Sequence, residues 1–165
     1  MTRVESMLPE WVFDADDRSF MAAAIAEAEA AAARGEVPVG AVVTLGGEIV
    51  ARSGNRRQEQ SDPAAHAEII VLREAGRVVG DWRLSDCTLY VTLEPCPMCA
   101  ATCREARLQL VIWGAEDERA GAFGSVIDLA ADPRLGPPLA HRGGLEEDRC
   151  RELLLRFFAK QRQSS

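Results

Sequence analysis

Residues 87–100 read CTLYVTLEPCPMCA. The first seven, rich in Thr, Leu, Tyr and Val, suit a pleated surface and are apolar enough for a central strand. Pro95 or Pro97 then opens a helix expected to end near Arg107, since proline is tolerated in a first helical turn. Residues 109–113 (QLVIW) are the next strand, so this stretch reads strand, helix, strand. Towards the N-terminus, Asp62-Pro63 predicts a helix to about Val79, with Asp62 as cap and Pro63 in the first turn. Residues 55–62 are a polar loop. Before it, strands over 37–45 and 48–52 flank Gly46-Gly47, a hairpin signal. Residues 18–34 (RSFMAAAIAEAEAAAAR) form an alanine-rich helix, capped by Asp16 or Asp17 and ended by Gly35. Towards the C-terminus, loops over 114–124 and 132–138 precede a last helix over 145–161. Its Leu145, Leu153, Leu154, Leu155, Phe157 and Phe158 predict a broad buried stripe. The order of elements predicts helices on both sides of a mixed sheet, a three-layer α/β/α domain.

Composition sets the bounds. The chain has 165 residues, 47% hydrophobic and 27% charged, which suits one domain with one core over 1–165, preceded by an extension over 1–16. Uncharged runs such as 37–47 fall short of the ~20 apolar residues of a membrane span. The start lacks the apolar stretch of a secretory signal, so a cytoplasmic location is expected. Five cysteines are too sparse for a disulfide scaffold, and three of them (Cys96, Cys99, Cys103) crowd together, which points to a metal or redox site. Cys87, Cys103 and Cys150 are expected to be structural. A net charge of −7 weighs against non-specific nucleic-acid binding, yet Arg149, Arg151, Arg156, Lys160 and Arg162 make the last segment basic.

Two short segments carry chemistry. His66-Ala67-Glu68 is placed in the first turn of the second helix, and Pro95-Cys96-Pro97-Met98-Cys99 turns from a strand into the third. One imidazole and two thiolates suit tetrahedral Zn²⁺ and leave a fourth position open, as in catalytic rather than structural sites. Helix starts favour thiolate over thiol. Glu68, beside the metal, is a candidate proton shuttle if its pocket excludes water. Alone, Cys96 and Cys99 read equally well as buried small residues or a redox pair; the joint pattern selects the metal.

His-x-Glu followed by Pro-Cys-x-x-Cys resembles the zinc-dependent cytidine/deoxycytidylate deaminase superfamily. Within it, several segments are similar to the bacterial tRNA-specific adenosine deaminases. They are residues 36–42 (EVPVGAV), 62–69 (DPAAHAEI), 88–100 (TLYVTLEPCPMCA), 113–117 (WGAED), 121–125 (GAFGS) and 154–158. The resemblance spans about residues 18–162 and implies a cytidine deaminase-like fold with about five strands. It further implies His66, Cys96 and Cys99 as ligands of one Zn²⁺ per subunit and Glu68 as proton shuttle. Asn55 would hydrogen-bond the bound nucleotide, Asp117 would help position the nucleotide next to the target, Ala67 would lend the base a backbone group, and Val39 and Leu93 would pack the base pocket. The implied reaction turns adenosine into inosine at the wobble position of a tRNA anticodon, in a homodimer with its active sites near the interface. Residues 135–138 (LGPP) depart from the tRNA-enzyme pattern, which keeps open a deaminase of a free nucleobase or nucleoside. A non-catalytic zinc- or RNA-binding module is a third reading, opposed by Glu68, which a structural zinc would not need.

Overall fold

The structure, a computed structural model, describes residues 12–164. Most of the expected N-terminal extension lies outside the described residues. Helix α1 (Ala15–Ala33) leads to strands β1 (Gly40–Leu45) and β2 (Glu48–Gly54), then a short helix α2 (Arg57–Gln60) and helix α3 (Ala67–Val79). Strand β3 (Cys87–Leu93), helix α4 (Pro97–Glu105) and strand β4 (Leu110–Ala115) follow. A two-residue strand β5 (His141–Arg142) and helix α5 (Glu147–Ser164) complete the order. The sheet runs β2-β1-β3-β4-β5, with β1 antiparallel to both neighbours and β3, β4 and β5 parallel. The expected five-stranded mixed sheet is thus present.

Side-chain alternation along these strands builds the three layers. Val42, Tyr90 and Ile112 stand in register across β1, β3 and β4 and pack with Met21, Ala24 and Ile25 of α1 and Cys150 of α5. Their neighbours Val43, Leu89, Val91 and Val111 point the other way, onto Ala67, Val71, Leu72 and Ala75 of α3 and Ala100 and Cys103 of α4. Burial on both faces is why β3 reads as a nearly unbroken apolar run. The alanines of α1 let it approach closely: a Cβ on Gly40 would lie 1.9 Å from the Ala24 carbonyl oxygen. Gly46 and Gly47 both take positive φ, as a tight hairpin turn requires.

Several boundaries differ from expectation. Helix α1 is capped by Asp14, not Asp16 or Asp17; Asp14 accepts from the Asp17 N–H while Asp17 accepts from the Asp14 N–H, a reciprocal capping box. Asp62 does not open α3. Its carboxylate accepts from the Ala64 N–H at 2.8 Å within a separate turn, and the helix starts at Ala67 with His66 as N-cap. The polar loop after β2 contains α2. Helix α4 ends at Glu105, shortly before Arg107 takes a left-handed φ of 56°. The broad buried stripe of the last helix is absent: Cys150 is the buried residue of α5, and Leu155 is 62% exposed. Leu145, just before the helix, does pack in the core, whereas Phe157 and Phe158 line a groove beside Ala32, Ala33 and Gly35 at the end of α1. Strand β5 escapes the sequence reading because His141 is held by stacking on Trp113, with ring centroids 5.0 Å apart.

Candidate metal centre and active site

Two helix starts face each other across one layer. His66 is the N-cap of α3 and Cys96 the N-cap of α4, and Cys99 lies one turn into α4. N-cap residues normally spend their side chains on the first free N–H groups of the helix. Neither His66 nor Cys96 does so, which leaves imidazole and thiol available to each other. His66 Nδ1 lies 3.7 Å from Cys96 Sγ and 3.4 Å from Cys99 Sγ. Zn–N and Zn–S bonds of tetrahedral zinc put such ligand atoms about 3.6 Å apart, so the donor set fits the ion without rearrangement. Among the described residues this is the one His/Cys/Asp/Glu group whose donor atoms lie within 4.8 Å of one another. Cys103, a turn further along α4, is buried beneath it, and burial raises its thiol pKa.

The electrostatics of the cluster suit a cation. A hydrogen bond from Cys99, opposed by burial and aided by His66, holds the Cys96 thiol down at about 4. Cys99, as the partner in that bond and itself buried, is pushed up. The hydrogen bond to Cys96 raises His66, with burial opposing it. Glu68 is 3% exposed, and burial lifts its carboxyl to about 7 against the pull of its own backbone N–H and of His66. Its Oε2 is buried without a hydrogen-bond partner, although a buried carboxylate oxygen is expected to have one. An acid of this kind can both take and return a proton near neutral pH.

The other sequence-selected residues divide. Asn55 Oδ1 accepts from the Ala67 N–H at 2.8 Å, and its Nδ2 donates to the Val37 carbonyl at 3.2 Å. It therefore braces the peptide between His66 and Glu68, and the Ala67 N–H is already engaged. Asn55 also lines a cleft of about 350 Å³ with Glu36, Val37, Arg57 and Phe157. Through Gly35, Phe157 and Gln161 this cleft joins a groove of about 1000 Å³ flanked by Arg119, Lys160 and Arg162. Arg151 and Arg156 are paired instead with Glu147 and Glu152 on their own helix. Val39 belongs to the core on the α3–α4 side, and Leu93 is half-buried at the end of β3. The carboxylate of Asp117 accepts from the N–H groups of Arg119 and Ala120 and so shapes its own turn.

Sequence reasoning misses two buried carboxylates. Glu36, 2% exposed, accepts from the Glu59 N–H and holds α2 next to Asn55. Glu94, 1% exposed, gathers the loop that follows β4. The available signal is an acid immediately before Pro95-Cys96, at the end of an apolar strand.

Comparison with known proteins agrees with this geometry. A family model for the cytidine and deoxycytidylate deaminase zinc-binding region matches residues 14–115. The tRNA-specific adenosine deaminase of Bacillus subtilis (strain 168) is 42% identical over 147 residues, covering 89% of this chain and 91% of that protein. A structure solved in studies of A-to-I editing by tRNA:A34 deaminases at the wobble position of transfer RNA aligns with a TM-score of 0.80 at 44% identity, over 82% of this chain and 99% of that one. Guanine deaminase from Bacillus subtilis aligns with a TM-score of 0.58 at 36% identity, over 63% of this chain and 66% of that one. The matched region runs from the α1 cap to the end of β4 and takes in His66, Glu68, Cys96 and Cys99; the chain belongs to the cytidine and deoxycytidylate deaminase family.

Proposed function

We propose that this chain deaminates adenosine to inosine at the wobble position of a tRNA anticodon, with one Zn²⁺ per subunit held by His66, Cys96 and Cys99. The observation that carries the reading is a buried, partner-free carboxylate oxygen on Glu68 beside a tetrahedral-fit donor set, in a chain matching tRNA-specific adenosine deaminases over most of its length. A zinc ion held by these three residues would supply an activated water near neutral pH. Glu68 takes a proton from the attacking water and returns protons to the ring nitrogen and the departing amine, so that water and adenosine give inosine and ammonia. Asn55 keeps Ala67, and with it His66 and Glu68, in place, and stands at the wall of the cleft where a nucleotide enters. The adjoining groove, with Phe157 and Phe158 for stacking and Arg119, Lys160 and Arg162 for phosphates, suits the splayed bases of an RNA loop.

The working form is a cytoplasmic homodimer. Trp82 and Met98, 57% and 37% exposed, sit with Ile69, Leu72 and Ala106 in an apolar hollow of about 790 Å³ on the α3–α4 face. Met98 stands between Cys96 and Cys99, so a second copy covering this face places each active site beside the interface. No helix among the described residues is long and apolar enough to cross a membrane.

Likeness to a guanine deaminase gives one competing reading, the same chemistry on a free base. Mass spectrometry of zinc-loaded enzyme decides between them, using an anticodon stem-loop with a wobble adenosine and, in parallel, free adenosine, guanine, cytosine and cytidine. Inosine in the stem-loop alone is the expected result. Turnover of a free base alone would retain the deaminase and remove the RNA.

A further inference from the structure

The carboxylate of Glu94 has no part in proton transfer, yet it is among the most buried polar groups of the protein, at 1% exposure. Neutral donors surround it. Its Oε1 accepts from the Asp117 N–H at 3.3 Å and from the Ser125 hydroxyl; its Oε2 accepts from the Phe123 N–H at 3.0 Å and the Ser125 N–H at 3.2 Å. All these donors come from a single irregular loop, and all reach a residue two places before Cys96. The Ala122 N–H adds a bond of 2.9 Å to the Pro95 carbonyl, the residue next to that cysteine. Gly121 fits where a side chain would not: a Cβ there would lie 2.5 Å from the Glu94 carboxyl carbon. A glutamate can satisfy several converging N–H groups at once, because both of its oxygens accept and neither donates.

We infer that Glu94 is a positioning residue for substrate. It locks loop 117–125 onto the Pro95-Cys96 turn, so that Asp117 and Arg119 stand at a fixed distance from the reacting centre. The inference rests on the nucleic-acid reading above, in which this loop meets the nucleotides flanking the target. In that role Glu94 acts on how well substrate is held and leaves the proton-transfer step alone.

Glu94→Gln tests it, because the amide keeps the shape but turns an NH₂ towards N–H donors. With zinc-loaded full-length enzyme and the anticodon stem-loop, KM is expected to rise about tenfold, the loss of one charge-assisted hydrogen-bond set, while kcat stays within about twofold. Zinc content should remain one per chain, and amide exchange should accelerate in 117–125 but not in α3 or α4. Ser125→Ala removes one donor and should move KM the same way by about threefold. If Glu94→Gln fails to fold, Ser125→Ala decides the matter by its KM and its exchange in 117–125. Unchanged KM and unchanged exchange in 117–125 would overturn the inference. So would a loss of zinc and kcat at constant KM, which would make Glu94 a support of the metal turn. If the wild-type enzyme ignores the stem-loop and turns over a free base, the RNA reading falls by itself; Glu94 is then judged on loop exchange and on KM for that base.

Discussion

Replacing Asn55 with alanine separates bracing from substrate contact. Asn55→Ala removes two hydrogen bonds, from the Ala67 N–H and to the Val37 carbonyl, and Ala67 is fully buried. The two bonds contribute about 1 kcal/mol each, and a buried N–H left without a partner adds about 1–3 kcal/mol, so the expected destabilisation is about 3–4 kcal/mol after partial relaxation. In a chain of this size, at ~3 °C per kcal/mol, that lowers Tm by about 9–12 °C. Asn55→Asp keeps an acceptor for Ala67 but turns a second carboxylate oxygen onto the Val37 carbonyl oxygen at a buried site, so only part of the Tm loss should return. Because Ala67 joins His66 to Glu68, Asn55→Ala should also lower kcat by up to about 10²-fold, the effect of misplacing a reacting group by about 1 Å. Differential scanning fluorimetry with zinc present, paired with steady-state deamination, measures both. A Tm within 2 °C of wild type for Asn55→Ala, using ~3 °C per kcal/mol as the scale, would refute the bracing argument.

Further outcomes follow from the same geometry. Glu68→Ala should hold one zinc per chain, measured by elemental analysis, while turnover falls by about 10²–10⁴-fold; unchanged turnover would remove Glu68 from the mechanism. Cys99→Ala should abolish zinc binding, whereas Cys103→Ala, outside the donor set, should keep the metal at a stability loss of about 1 kcal/mol. Stripping zinc with a chelator should lower Tm and speed amide exchange at the first turns of α3 and α4, where His66 and Cys96 provide no other cap, and adding zinc back should reverse both. Lys160→Ala combined with Arg162→Ala should raise KM for the stem-loop and flatten its salt dependence by about 0.7 in log–log slope for each phosphate no longer neutralised; an unchanged slope would take the groove off the RNA path.

The sequence is most legible where local chemistry and tertiary context agree. Strand β3 falls on the expected Cys87–Leu93 because covered faces demand the apolar run that also favours extended backbone. The His66, Cys96 and Cys99 group is legible because the joint His-x-Glu and Pro-Cys-x-x-Cys spacing has few other uses, and the structure does bring the three donor atoms together. Misreadings arise where a side chain's partner is far away or nearer than assumed. Asp62 looks like a helix cap, but its carboxylate is taken by Ala64 two residues on. Glu94 goes unread in the sequence because its partners lie 23 to 31 residues later in a loop without periodicity. The apolar residues of α5 fit a core stripe, yet the later ones face a groove with Gly35 rather than the sheet.

The two faces of the sheet divide the labour of the molecule. His66, Glu68, Cys96 and Cys99 sit on the α3–α4 side, whereas the long groove is built from the ends of α1 and α5 on the other. Substitutions at Lys160 or Ala33, which line the groove but not the cleft beside Asn55, therefore alter what docks without touching His66, Glu68 or their brace. Selection, or an engineer diversifying the α1 and α5 ends, can retarget such a scaffold to a new molecule while its reaction is inherited intact.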